Sequence, residues 1–159
     1  MATLPAAHQL LLAEAKAEPH VVLVGRCPDA TFEQRVYIGP HLLVADELPE
    51  AGGDDRGPDP FQLLQAALGA CTSMTLGVYA KRKGWELGEV TVRVGRRVEE
   101  ETGADGRPAG KVQVFERRIA LGSHLGQEQR ERLLQIANQC PVHRALTGLV
   151  RIESELDAV

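Results

Sequence analysis

The stretch from Pro60 to Lys83 constrains the fold more than any other part of the chain. Asp59 is a short acid able to accept from the free N–H groups of a first helical turn. Pro60 suits the first helical position, because the N–H it lacks would have no partner there. Lys81, Arg82 and Lys83 put positive charge at the negative end of the helix dipole, and Gly84 offers the left-handed residue that ends the helix. Roughly 24 helical residues spanning about 36 Å follow from these signals. From Leu63 to Cys71 the helix is apolar almost all round, broken only by Gln65, which predicts burial on several sides. Ala66, Ala67, Gly69 and Ala70 allow close approach of other backbones, so this is expected to be a central helix.

Short elements surround it. Residues 1–18, with Leu10, Leu11 and Leu12, form a short helix ending before Pro19. Val21–Val24, Phe32–Ile38 and His41–Ala45 read as three strands of a meander, with turns at Gly25-Arg26-Cys27-Pro28-Asp29 and Gly39-Pro40. Asp46–Asp59 is a loop of glycine, proline and acids. Val90–Val98 is a half-buried strand, Glu99–Gly110 a polar loop, and Val112–Leu121 a longer strand. Gly126–Asn138 is an amphipathic helix with Leu133, Leu134, Ile136 and Ala137 inward. Pro141 breaks it and leaves Cys140 at a helix-to-helix corner. Val150, Ile152 and Leu156 alternate with Arg151, Glu153 and Glu155, predicting a final strand. The expected class is α+β, antiparallel sheet wrapping two helices, in a single domain over 1–159 with 1–19 as an N-terminal extension.

Composition excludes several function classes. The chain has 159 residues, 43% of them hydrophobic, which suits one ordinary core. A formal net charge of −4 and the lack of a Lys/Arg stripe leave no footprint for nucleic acid. No apolar run is read as membrane-spanning, and Met1-Ala-Thr-Leu-Pro-Ala-Ala-His lacks the positive n-region of a signal peptide. A cytoplasmic protein without a membrane partner is expected.

The three cysteines Cys27, Cys71 and Cys140 are odd in number and lack CxxC spacing, which argues against a disulfide scaffold and a structural zinc site. In a reducing compartment a disulfide would be transient, hence catalytic or sensory. The alternative is that all three are small buried hydrophobes. Cys140, followed by Pro141, can cap a short helix whose N–H groups favour a thiolate, and His143 three residues on could reach it. Cys71 lies too deep in its helix for the terminus to help, so its cation must come from elsewhere, and arginine never deprotonates. Thr72, Ser73 and Thr75 are expected to bond back to their own helix. A Cys71 that attacks a peroxide becomes a sulfenic acid, and a second thiol, Cys140, condenses with it to a disulfide that an outside dithiol reduces.

Two segments carry a resemblance to a known family. Asp59-Pro60-x-Gln62-Leu63-Leu64 followed by Ala-Ala-Leu-Gly-Ala-Cys71, and Cys140-Pro141-Val142 with its trailing strand, are similar to the paired motifs of the OsmC/Ohr family of organic hydroperoxide reductases and osmotically induced proteins. The resemblance covers roughly residues 20–157 and points to a broader OsmC-like branch. It implies an intertwined homodimer in which antiparallel sheets wrap two long central helices. It also implies thiol-dependent reduction of organic hydroperoxides to alcohols by an external dithiol, with no metal or flavin cofactor. Cys71 would be the peroxidatic residue and Cys140 the resolving one.

The chain departs from the family at Phe61, where characterised members carry a glutamate that holds an active-site arginine. Arg26, in the first strand-to-strand turn, is the best positional match for that arginine, and Arg35 is a weaker one. Asp46 or Glu47 could replace the carboxylate. Phe61, Leu64, Leu68 and Met74 would line an apolar substrate site, or simply belong to the core. The alternative function is a dimeric, non-catalytic redox sensor or ligand-binding protein. There Cys27, otherwise an incidental thiol, could pair between molecules. A zinc site from Cys71, Cys140 and His143 is a third reading.

Overall fold

The structure is a computed structural model that describes residues 6–103 and 106–156. It is α+β, with one three-stranded and one two-stranded antiparallel sheet. Two compact units divide it, Met1–Leu64 and Gln65–Val159.

In the first unit, helix α1 (Ala6–Ala17) precedes β1 (Val22–Arg26), β2 (Gln34–Ile38) and β3 (His41–Ala45). The strands form the expected meander, with Val24 opposite Val36 and Tyr37 opposite Leu42. The N-terminal helix packs on β1 and β2, where buried His8 meets the hydroxyl of buried Tyr37 through Nδ1. Leu11 occupies the space above Gly25, where an added Cβ would lie 2.7 Å from its Cδ1. Beyond β3, buried Asp46 accepts from the N–H groups of Glu47, Asp54 and Arg56 at 2.9, 3.1 and 3.1 Å. Burial pushes its carboxyl up, but these donors and the Arg56 charge hold it below the usual range. Asp46 thus organises the loop. Gly53 and Gly57 let that loop fold close, since a Cβ at either would sit 1.9 Å from Glu47 O or 2.2 Å from Val44 O.

Helix α2 (Pro60–Lys83) has the expected bounds. The Asp59 carboxylate accepts from the N–H of Phe61 and of Gln62 at 2.7 and 2.9 Å, and Gln62 Oε1 accepts from Asp59 N, a reciprocal cap. At the other end Gly84 is left-handed (φ 66°), and Trp85 N donates to Ala80 O, closing the helix in a Schellman turn. Burial differs from expectation. Only the stripe Leu68, Thr72, Leu76 and Ala80 is buried, while Ala66, Ala67, Ala70, Met74 and Val78 are exposed. One chain supplies neighbours along a single face of this helix. The helix is also long and apolar enough to cross a membrane by length and composition, with a mean hydropathy of 1.3 over its best window. That corrects the expectation that no such run exists: Ala, Cys and Met raise the hydropathy between scattered Leu and Val, without a continuous aliphatic run.

In the second unit, β4 (Val90–Thr102) and β5 (Pro108–Leu121) form one long hairpin. The segment expected as a polar loop is mostly strand, with Glu99, Glu100 and Glu101 opposite Val112, Lys111 and Gly110. Polar residues pair readily where both faces of a hairpin meet solvent, and alternation of side chains does not reveal it. Helices α3 (Gln127–Ala137) and α4 (Pro141–Thr147) follow. Leu76, Leu125, Leu133, Ile136 and Ala137 form the core, flanked by Tyr79, Trp85 and Ile119. Complete burial of each leucine contributes about 1.5–3 kcal/mol. The expected final strand is not formed: residues 149–156 lie outside helix and sheet, with Leu149, Val150, Ile152 and Leu156 exposed. Alternating residues make a strand only where a sheet edge accepts them.

Candidate active site

Cys71 stands next to the buried stripe of α2, not within it, so its side chain is partly exposed where Thr72 is fully buried. It opens onto a cleft of about 610 Å³ lined by Ala67, Ala70, Met74, Val78, Ile136 and Pro141. Of the four residues expected to line a substrate site, only Met74 does so. Leu68 is buried, and Phe61 and Leu64 are not part of the lining.

Cys140 is fully buried and caps α4, with Pro141 in the first turn. Its sulfur accepts the backbone N–H of His143 at 3.3 Å. The contact expected from the imidazole is therefore made by the main chain. Thr72 Oγ1 lies 3.8 Å from the same sulfur, and Cys71 shares its cleft with Gln139 and Pro141, on either side of Cys140. The structure thus brings Cys71 and Cys140 together, both unbridged.

A cation completes the group. Arg117, on β5, donates through Nη1 to Thr72 Oγ1 at 2.8 Å and to Ala137 O at 3.0 Å, and through Nη2 to Asn138 Oδ1 at 2.7 Å. All three acceptors are neutral. Thr72 gives its own proton to Leu68 O at 2.7 Å, so its lone pairs are free to face Arg117 and the thiol. Thr75 likewise bonds back to Cys71 O at 2.7 Å, as expected for helical threonines. Burial pushes the Cys140 thiol up, but the His143 N–H foremost, with the Cys71 thiol and the Arg117 charge, holds it below the ordinary thiol value.

Arg26 ends β1, where its Nη2 donates to Ala30 O at 3.3 Å in an exposed turn. Arg35 pairs with Glu33 at 2.5 Å. Both belong to the first unit; within the second, Arg82 lines the cleft onto which Cys71 opens and Arg117 stands near Cys140. The sequence held one signal for Arg117. Arg117 shares strand parity with Phe115, Ile119 and Leu121, so it stands at an inward position where an apolar residue is expected. Among the described residues no three His, Cys, Asp or Glu side chains form a metal-binding group.

A family model for OsmC-like protein matches residues 52–155. An organic hydroperoxide resistance protein OsmC from Legionella pneumophila is similar in structure, with a TM-score of 0.60 at 19% identity over 80% of this chain and 90% of that one. An OsmC-like protein from Mycoplasma pneumoniae gives 0.61 at 16% identity, covering 81% and 87%. The organic hydroperoxide resistance protein OhrB of Bacillus subtilis gives 0.55 at 22% identity, covering 80% and 91%. No curated protein sequence matches this chain.

Proposed function

The chain belongs to the OsmC-like family, and from that premise we propose that it is a cytoplasmic, cysteine-dependent peroxidase reducing organic hydroperoxides to alcohols. The observation that carries the reading is that Cys71 opens onto a mainly apolar cleft lined also by Gln139 and Pro141, the neighbours of Cys140, whose sulfur shares Thr72 Oγ1 with Arg117. Two relatives named as organic hydroperoxide resistance proteins support it. The whole chain, 1–159, is taken as one OsmC-like domain.

Cys140, whose thiol is held below the ordinary value, serves in this reading as the base that takes the Cys71 proton. Shifting that proton to Cys140 leaves Cys71 as the thiolate facing the cleft. Its sulfur attacks the terminal oxygen of R–O–O–H, the O–O bond breaks, and Cys71 becomes the sulfenic acid. The departing alkoxide takes the proton from Cys140 and leaves as the alcohol. Cys140, again a thiolate, attacks the Cys71 sulfur and expels hydroxide, which is protonated to water. An external dithiol reduces the resulting disulfide and is itself oxidised. Arg117 keeps its full charge for the thiolate because its partners are neutral. Arg26 remains the competing assignment for the helper cation.

The protein works as a homodimer in this reading. Met74 and Val78 on α2 are 70% and 53% exposed, and Leu149, Val150, Ile152 and Leu156 present apolar surface that a second copy would cover. A redox-sensing role without turnover is the second reading, favoured by Phe61 in place of the family glutamate. Reduced protein given cumene hydroperoxide and a dithiol is expected to consume peroxide, and Cys71→Ser to abolish consumption. A reversible disulfide without consumption would leave only the sensor.

A further inference from the structure

The cleft onto which Cys71 opens has a charged end. Arg82 lines it with Cys71, Met74, Val78 and Ile136, and no other lining residue is an acid or a base. Arg82 follows Cys71 by about three turns of α2, or roughly 16 Å along the axis, so both stand on one face of the helix. Helical side chains lean toward the N-terminus, which carries Arg82 back toward Val78. Lys81, Arg82 and Lys83 all complement the helix dipole, yet only Arg82 of the three lines the cleft.

The other polar groups of the lining are neutral or committed. Thr75 gives its proton to Cys71 O at 2.7 Å, and the Tyr79 hydroxyl accepts from Arg132 Nε at 3.0 Å. Arg82, by contrast, has no hydrogen-bond or ion-pair partner among the described residues. Glu128 and Glu131 line a different hollow, with Lys83 and Arg132. Those two cations lie 5.9 and 5.6 Å from the centre of the Tyr79 ring. Positive charge therefore gathers at one end of the cleft, and no carboxylate lines it.

We propose that Arg82 is a specificity-determining residue that binds a carboxylate at the far end of the substrate, so that long-chain hydroperoxy acids are preferred over their neutral esters. A guanidinium takes a carboxylate through two parallel N–H bonds. An extended chain rises about 1.2 Å per bond, so roughly ten bonds with a contact at each end bridge sulfur and guanidinium. Met74, Val78 and Ile136 cover the hydrocarbon between, and 610 Å³ is an ordinary volume for a site that encloses a small molecule. In the homodimer proposed above, a second copy over Met74 and Val78 would roof this stretch. The inference rests on the peroxidase reading for its reaction and adds no chemical step to it.

The test uses full-length reduced protein with a dithiol, at low salt and below micellar concentrations. Linoleic acid hydroperoxide is compared with its methyl ester, and cumene hydroperoxide serves as a reference too short to reach Arg82. KM for the acid is expected about fivefold below that for the ester, the ratio that an exposed ion pair supports. Arg82→Gln is expected to raise KM for the acid to the ester's value with kcat unchanged, and Arg82→Lys to keep part of the preference. Neither variant should alter turnover of cumene hydroperoxide. Equal KM for acid and ester in the wild type, or a loss in Arg82→Gln that cumene hydroperoxide shares, would overturn the proposal. If no hydroperoxide is consumed, the peroxidase reading fails by itself and binding is read instead. Linoleate is expected to shield Cys71 from iodoacetamide at about fivefold lower concentration than linoleyl alcohol, an advantage lost in Arg82→Gln. Equal shielding by the two also overturns the proposal.

Discussion

Arginine stands beside cysteine in both units of this chain, but the two guanidiniums are held in opposite ways. Around Cys27, Arg35 and Arg56 close on the buried carboxylate of Glu33. Around Cys140, Arg117 is gripped by a hydroxyl, a main-chain carbonyl and an amide, all neutral. A charge already shared with a carboxylate acts first on the fold. A charge held by dipoles alone is still available to a sulfur, which is what a thiol-dependent reaction requires.

That contrast can be broken by substitution. Glu33→Gln leaves two guanidiniums without their counter-charge and is expected to cost about 3 kcal/mol in urea unfolding, at the low end for a buried pair because Arg56 is largely exposed. A cost near zero would mean that the carboxylate is not structural. Arg117→Gln should instead spare most of the stability and slow peroxide consumption by about 100-fold. If Arg26→Gln produces that loss and Arg117→Gln does not, the helper cation is Arg26. The smallest effect is in pH dependence. The Cys140 thiol is held below its ordinary value, so its thiolate absorbance should persist below about pH 8.5 and fade only as pH drops through the folded-state value. The linked stability is fully present above the unfolded-state value and is lost over the same descent. Arg117→Gln should move the fade upward. An unmoved titration would separate Arg117 from the sulfur.

What the sequence disclosed follows the range of each signal. The limits of α2 were legible because their causes are local: Asp59 with Gln62 at one end, Gly84 with Trp85 at the other. The Cys140 cap before Pro141 was legible for the same reason. The hairpin arm through Glu99–Glu101 was not, because its stability comes from residues opposite it and not from its own pattern. The strand expected near Val150 has the alternation but pairs with neither sheet among the described residues. Arg117 depends on the register of β5 and on the ends of α3, both nonlocal. The family motifs pointed to both cysteines, whereas Arg117 had only its inward parity on β5 as a signal and its place beside Cys140 depends on tertiary structure.

The central claim is that Cys71 and Cys140 act as one redox pair. Reduced protein mixed with one equivalent of cumene hydroperoxide, quenched and mapped without reductant by mass spectrometry, tests it most directly. The account predicts a Cys71–Cys140 disulfide formed in step with peroxide loss. Peroxide lost with Cys71 driven to sulfinic acid and Cys140 still free, or no change at either thiol, would contradict it.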